Sequence, residues 1–190
     1  MSKLKDYTCR NKNIEIRARK LEDYDMYVKS YLEQQPSQRK YDQGYKSMNF
    51  ATKEWYSAKL DEWDALADSD VAYLFGIFRI SDGAMVGYCD LATQYREDYQ
   101  IGMVGYAIFN QYWNGGYAKE AVEAMIHIGF NKLDYHRLEA HINLDNEISK
   151  KVVVSSGFKF EGIREKYIRE NDLWTDHEVY TLIKLKDNAI

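Results

Sequence analysis

The chain has 190 residues and a formal net charge of −4, and 45% of its residues are hydrophobic and 29% charged. This length and composition suit one globular domain, so we expect a single domain over residues 1–190 with its core at about 14–185. A mildly acidic chain without a block of Lys and Arg is a poor candidate for binding nucleic acid.

Cysteine and apolar patterning argue against two further classes of protein. The two cysteines, Cys9 and Cys89, are too few for a disulfide framework and fit the reducing cytoplasm. No run approaches the roughly 18 apolar residues of a membrane span, and no apolar stretch typical of a signal peptide follows the N-terminus. The four histidines lack the spacing of a helical zinc site. We therefore expect a cytoplasmic protein without a metal.

The first half of the chain predicts a strand, two helices and a meander of three strands. Residues 14–18 alternate between apolar and polar side chains and predict a strand, and residues 21–32 predict a helix. Thr52 is a candidate N-cap for a helix that ends near residue 67. The meander is expected at residues 71–80, 84–92 and 102–109, with the turn signal Ser81-Asp82-Gly83 in its first hairpin.

In the second half the hydrophobic period changes from two to 3.6, which predicts a helix from about residue 118 to 129. The β-branched run Val152-Val153-Val154 favours a strand by propensity, but the cap signal of Asn146 and Gly157 beyond the run favour a helix. We predict that helix, between a strand at 136–142 and closing strands at 158–168 and 173–185. The order β-α-α-β-β-β-α-β-α-β-β predicts an α/β protein with a mixed, mostly antiparallel sheet flanked by helices.

The most informative segment lies between a predicted strand and a predicted helix and reads Trp113-Asn114-Gly115-Gly116-Tyr117-Ala118. A helix N-terminus presents unpaired N–H groups and about half a positive charge, and glycines let a ligand approach the backbone closely. The segment is therefore a candidate anion site. Asn-Gly is also a hairpin signal, but the residues downstream have helical rather than alternating periodicity.

This segment, followed by Glu120-Ala121, resembles the acyl-CoA loop of GNAT acetyltransferases, which has the general form Gln/Arg-x-x-Gly-x-Gly/Ala. It is most similar to the RimJ/RimL-type branch of ribosomal-protein-alanine N-acetyltransferases, which often carries Trp or Gln in place of the Arg. Asn114-Gly115 replaces the usual Gly-Lys of that branch, which removes a basic side chain beside the expected diphosphate. Further matches follow in the order of the branch: His136-Arg137-Leu138-Glu139-Ala140, Asn146-x-x-Ser149, Gly157-Phe158, Glu161-Gly162, and Asp176 before Tyr180-Thr181-Leu182.

The resemblance covers about residues 14 to 185 and implies a GNAT fold with acetyl-CoA as cosubstrate. The strand before the loop would splay from its neighbour, and the pantetheine arm would pair with the main chain of Tyr106, Ala107 and Ile108. The six residues of the loop would hold the diphosphate, and Asn146 would contact the pantetheine or acetyl end. From the residues alone, the strand positions are sheet core and Asn146 is a helix cap.

The resemblance also implies a proton donor for the departing thiolate of CoA. Many GNAT enzymes use a tyrosine on the helix that follows Asn146, but no tyrosine occurs between Asn146 and Ser156. Ser149 therefore remains the candidate acid, although its spacing alone predicts a serine on the helix surface. Lys150 and Lys151 are candidates for contacts with the CoA phosphates, with a solvated surface as the alternative.

The general base is left open among three sites. Glu139 is the base that we include among the predicted catalytic residues. Asp90 and the pair Asp176-His177 are the other two candidates. Glu139 also has a structural interpretation as an ion pair with a neighbouring strand, and Asp176 as a hydrogen-bonded carboxylate.

The predicted function is transfer of an acetyl group from acetyl-CoA to a primary amine by direct attack in a ternary complex. The resemblance implies a protein N-terminal α-amine as the favoured acceptor. Such an amine is roughly one-sixth neutral at pH 7 and needs only modest help from a base, whereas a lysine amine is less than about a thousandth neutral. Two alternatives stay open: a small amine such as a polyamine, an amino acid or an aminoglycoside, and a catalytically silent CoA-binding module. The sequence also leaves a homodimer open.

Overall fold

The structure, a computed structural model, describes residues 3–185, so residues 1–2 and 186–190 of the predicted domain lie outside it. Within this range, no helix is long and apolar enough to cross a membrane, and no three His, Cys, Asp or Glu side chains form a group that could hold a metal ion. The elements in chain order are β1 (Cys9–Arg10), β2 (Ile14–Arg17), α1 (Tyr24–Leu32), α2 (Lys53–Asp68), β3 (Ala72–Arg79), β4 (Met85–Tyr95), β5 (Ile101–Ile108), α3 (Tyr117–Asn131), β6 (Arg137–Asn143), α4 (Glu147–Ser155), β7 (Lys159–Glu170) and β8 (Leu173–Ile183).

The strands form one eight-stranded sheet in the order β1-β2-β3-β4-β5-β6-β8-β7. The pair β5–β6 is parallel, and the other neighbouring strands are antiparallel. The predicted mixed, mostly antiparallel sheet and its order of elements are therefore confirmed. The two-residue strand β1 was not predicted, because two residues are too few to show an alternating pattern.

Local side-chain chemistry sets the helix boundaries. The Thr52 hydroxyl accepts the N–H of Trp55 at 3.2 Å, which is the predicted cap of α2. The valine run of α4 is helical, with Val153 fully buried. Gly157 follows α4 with φ +95°, a conformation that glycine adopts at little cost and that ends the helix. Capping and burial thus outweigh the strand propensity of the valines.

Two hydrophobic clusters cover opposite faces of the sheet. α3 packs Val122 and Met125 into the first cluster, together with Val86 of β4. α1 and α2 pack against the second cluster, which contains Met85 and Phe109. Because successive side chains of a strand point to opposite faces, the assignment of neighbours Tyr88 and Cys89 of β4 to different clusters places the helix layers on opposite sides.

Candidate active site

The sheet opens between β5 and β6. Their parallel pairing stops after Met103↔Glu139, whereas β5 continues to Ile108 and stays paired with β4 as far as that residue. The N–H of Phe109 donates toward the β4 side. Because backbone groups alternate in direction along a strand, those of Tyr106 and Ile108 face the opening. The opening therefore offers main-chain donors and acceptors along one edge, as expected for the predicted pantetheine strand.

The glycine-bearing loop enters α3 at the end of this opening. Gly116 is the N-cap residue with φ +77°, and Asn114 also has a positive φ of +64°. A Cβ built on Gly116 would meet no atom within 4 Å, so the loop is open on that side. The N–H of Glu120 is the first to reach the Gly116 carbonyl, at 3.4 Å. The N–H groups before it have no partner within the helix, which is the geometry of an anion site.

Trp113 connects the loop to the open strand edge. Its indole Nε1 donates to the carbonyl of Ile108 at 2.9 Å. This bond fixes the ring beside the start of α3 and pairs one of the backbone groups that face the opening.

α4 forms the other wall of the opening. The Asn146 side chain accepts the N–H of Ser149 at 3.3 Å, so the capping role predicted from the residues is present. The Tyr106 hydroxyl donates to the Ser149 carbonyl at 3.4 Å and bridges β5 and α4. Burial raises the pKa of Tyr106, so its hydroxyl keeps its proton at neutral pH.

A cavity of 640 Å³ occupies the opening. The residues expected to contact the cofactor from the loop, the strand edge and the start of α4 all line this one cavity, although these elements are apart in the chain, whereas Lys150 and Lys151 do not line it. The expected residues that line it are Tyr106, Ala107, Ile108, Trp113, Asn114, Gly115, Gly116, Tyr117, Ala118, Asn146 and Ser149.

Glu139 does not line the cavity. Its carboxylate lies 2.8 Å from Arg137 Nε, 2.7 Å from His141 Nε2 and 3.1 Å from Arg164 Nη2. Burial opposes ionisation, but the hydrogen bonds from His141 and Arg137 and the charge of Arg164 outweigh it and hold the pKa of Glu139 at about 2. A carboxylate this acidic and already paired is a weak proton acceptor at neutral pH. The arrangement therefore favours the structural alternative for Glu139, and its catalytic role stays a prediction.

Glu139→Gln is expected to destabilise the fold by about 3 kcal/mol at pH 7, because the ionised form is held by its partners. Because the pKa of Glu139 is depressed, its ionised form contributes fully to the free energy of unfolding above about pH 4.5. This contribution should disappear as the pH falls towards 2. Chemical denaturation across this pH range measures it. Glu161→Gln is the matched control, because Glu161 contacts the same Arg137 but is half exposed, and it should cost less than about 1 kcal/mol. Equal losses in the two variants would contradict the assignment.

Asp90, another predicted base candidate, is not one of the residues that line the cavity, but it lies on β4 beside a residue that does. It lies opposite Gly105 of β5 and two residues from Tyr88, which lines the cavity from the same face of β4. Among residues 3–185, no side chain forms a hydrogen bond or ion pair with its carboxylate. Burial raises the pKa of Asp90 to about 6, with the charge of Arg19 acting in the opposite direction. This pKa suits a proton acceptor at neutral pH.

The remaining predicted residues have structural partners. Asp176 accepts the N–H of Lys166 at 2.8 Å within the β7–β8 hairpin, and His177 is buried in β8. Lys150 forms an ion pair with Glu178 at 2.7 Å, so its ammonium is already engaged, and Lys151 is exposed. The structure therefore favours the structural or surface alternative for each of them.

The sequence did not indicate the side of the cavity that is formed by α1, β4 and the loop after α1. Tyr31 of α1, Tyr88 of β4 and residues 39–43 also line it. Tyrosines of these strands and helices look like core in the sequence, and residues 39–43 belong to a polar loop without a motif. Only the packing of α1 and its following loop against β4 brings them to the site.

A mixed sheet that opens beside a glycine-bearing helix start is the architecture of an acyl-CoA-binding transferase. Residues 13–159 match the family described as "Acetyltransferase (GNAT) domain". The chain is 30% identical over 139 residues to "Probable N-acetyltransferase YjcK" of Bacillus subtilis. The aligned segment covers 73% of this chain and 77% of that protein. The chain therefore belongs to the GNAT acetyltransferase family and is an acyl-CoA-dependent N-acetyltransferase.

Solved structures share the fold. The ribosomal-protein-S5-alanine acetyltransferase from Vibrio fischeri superposes with a TM-score of 0.72 at 24% identity, over 93% of this chain and 96% of that one. Mycobacterium smegmatis RimJ in complex with CoA-disulfide gives a TM-score of 0.72 at 18% identity, over 90% and 81%. Identities this low show a common fold and leave the acceptor open.

Proposed function

We propose that the protein transfers an acetyl group from acetyl-CoA to the N-terminal α-amine of a protein, as a member of the RimJ/RimL-type branch. The diphosphate binds at the start of α3, and the pantetheine arm pairs with the edge of β5 in the opening toward β6. The observation that carries this proposal is the cavity that gathers the predicted loop, the strand edge and the cap of α4. Acetyl-CoA supplies the activated acetyl group there.

The reaction needs one proton acceptor and one proton donor. The neutral amine attacks the thioester carbonyl carbon, the C–N bond forms, the C–S bond breaks, and the CoA thiolate departs. Asp90, with a pKa of about 6, takes the proton lost by the amine nitrogen through a water molecule. Because an α-amine is already partly neutral at pH 7, this help can be modest.

The charge of the cavity favours a single amine over a polyamine. The acidic residues that line the cavity already have partners. Asp145 pairs with Lys40 and Glu147 with Lys150, while Asp42 accepts from the Asn110 amide. A polyamine carries several ammonium groups and would need several carboxylates free to pair with them. Asp90, two residues from the cavity-lining Tyr88 on β4, forms no hydrogen bond or ion pair among the described residues, which suits one amine.

Ser149→Ala is expected to lower kcat by less than about tenfold. The change in the Kd for acetyl-CoA should be smaller than the change in kcat. A donor to the departing sulfur acts mainly in the transition state, and a CoA thiolate is already a fair leaving group, which keeps the loss small. Steady-state turnover and direct titration of the same variant measure the two quantities. Tyr106→Phe is the matched comparison, because its hydroxyl reaches the Ser149 carbonyl. A larger loss in kcat for Tyr106→Phe would transfer the donor role from Ser149 to Tyr106.

The acceptor is tested with a panel of amines read by release of the free CoA thiol and by the mass of the product. The panel contains two versions of one peptide. The first has a free N-terminus, and the second is blocked at the N-terminus and carries a lysine. It also contains spermidine, free amino acids and an aminoglycoside. Acetylation of the free α-amine alone supports the proposal, and preference for a small amine contradicts it. Binding of acetyl-CoA without product from any amine would support the catalytically silent alternative.

Two further expectations from the sequence stay predictions. Light scattering of the purified protein tests the homodimer, and fractionation of cells that produce it tests the cytoplasmic location.

A further inference from the structure

The loop between α1 and α2 contacts both walls of the cofactor cavity. We call residues 36–45 the strap. Lys40 Nζ lies 2.7 Å from a carboxylate oxygen of Asp145, just before α4, and the Tyr41 hydroxyl donates to the same carboxylate. On the opposite wall, Arg39 of the strap lies over the ring of Trp113, just before α3. The strap therefore spans the opening that the proposed function assigns to acetyl-CoA.

Internal hydrogen bonds fix the shape of the strap. The Asp42 carboxylate accepts the N–H groups of Gln38 and Gly44, each at 2.9 Å. The buried Asn110 amide donates to Asp42 at 3.0 Å and exchanges hydrogen bonds with the main chain of Gln35 at 2.8 Å. A loop that is bonded in this way holds Arg39 in place before any ligand binds.

Arg39 lines the cavity and forms no ion pair within 4 Å with a carboxylate of the described residues, although its charge acts on nearby Asp42. Its guanidinium carbon lies 4.6 Å from the centroid of the Trp113 ring, and the Trp113 indole is itself held by the Ile108 carbonyl. Of the other two basic residues of the cavity lining, Lys40 pairs with Asp145 at 2.7 Å, and Lys119 forms only a loose, exposed pair with Glu123 at 3.8 Å. The donors of Arg39 are therefore available to an anion.

We propose that Arg39 binds the diphosphate of acetyl-CoA at the start of α3. The proposal rests on the proposed cofactor site and adds a residue to it. The loop itself supplies backbone N–H groups but no basic side chain, because Asn114 and Gly115 occupy the positions next to Trp113. Arg39, stacked on Trp113, brings a permanent positive charge and a planar set of donors that match phosphate oxygens.

The test compares Arg39→Gln with wild type by calorimetric titration with CoA, with dephospho-CoA, which keeps the diphosphate, and with pantetheine, which lacks phosphate. We expect Arg39→Gln to raise the Kd for CoA and for dephospho-CoA by about tenfold and to leave the Kd for pantetheine unchanged. Arg39→Lys should lose less affinity for CoA than Arg39→Gln. Added salt should reduce the difference in Kd between Arg39→Gln and the wild-type protein. Arg169→Gln is the matched control, since Arg169 is an exposed arginine in β7 that lies outside the cavity, and it should bind like wild type.

Three results would overturn the proposal. An unchanged Kd for CoA removes Arg39 from the site. A loss with CoA but not with dephospho-CoA moves Arg39 to the 3′-phosphate. An equal loss with pantetheine shows that the substitution disturbs the strap rather than a phosphate contact. Failure of the wild-type protein to bind CoA would contradict the proposed cofactor site itself, and with it the role of Arg39.

Discussion

Gly116→Val is expected to raise the Kd for acetyl-CoA by more than about tenfold, which corresponds to at least about 1.4 kcal/mol. Gly116 begins α3 with φ +77°, and a Cβ added there would project into space that holds no protein atom within 4 Å. The branched side chain would occupy the place of the diphosphate and separate it from the N–H groups of the first turn. Titration of the folded variant with CoA measures the loss.

Gly83→Val controls for backbone strain. Gly83 has φ +73° in the β3–β4 turn, and a Cβ built there also meets no atom within 4 Å, but the residue does not line the cofactor cavity. Both variants force a valine into the left-handed region and should lose about 1–2 kcal/mol of stability. Only Gly116→Val should lose affinity for CoA. If both variants bind CoA as tightly as wild type, the loop at Gly116 is merely a turn.

Asp90→Asn is expected to lower kcat about a hundredfold, because the amide cannot accept the proton of the amine. In the wild-type protein, kcat/KM should fall as the pH drops below about 6, where Asp90 becomes protonated, and the variant should lack this step. The raised pKa also means that ionised Asp90 destabilises the folded state above pH 6, and that this penalty shrinks as the pH falls below about 6 and is gone below the ordinary value of 3.8. Asp90→Asn should therefore raise the melting temperature at pH 8 while it lowers activity.

Asp176→Asn is the control for this prediction. The Asp176 carboxylate accepts the N–H of Lys166 within the β7–β8 hairpin, a bond that an asparagine oxygen can keep. Turnover should stay near the wild-type value. Wild-type turnover in Asp90→Asn, with an unchanged pH profile, would remove Asp90 from the mechanism.

The elements of the fold could be predicted from the sequence because their signals are local. The Thr52 cap, the change of period at the start of α3 and the glycine after α4 each act within a few residues, and each is present in the structure. The valine run of α4 shows that a cap and a buried position decide between competing propensities. The strand β1 escaped prediction because it is defined by its pairing with β2 rather than by its own residues.

The site could be predicted only where a motif carried it. The loop at residues 113–118 and the strand edge before it lie in one continuous segment, which is why the structure brings their predicted residues together. The general base could not be chosen in this way, because the difference between Glu139 and Asp90 comes from their neighbours across strands. Arg137, His141 and Arg164 surround Glu139, whereas Asp90 is half-buried and forms no hydrogen bond or ion pair among the described residues. The strap was missed because its position depends on contacts with Trp113 and Asp145, distant in the sequence.

Thermal unfolding with and without acetyl-CoA tests the central claim most directly, since the claim is that the cavity between β5, α3 and α4 binds this cosubstrate. At a ligand concentration about a hundredfold above the Kd, binding to the folded state adds about 2.7 kcal/mol and should raise the melting temperature by several degrees. Gly116→Val should show a smaller shift, and Gly83→Val the full shift. A melting temperature that saturating acetyl-CoA leaves unchanged would contradict the assignment of the cavity.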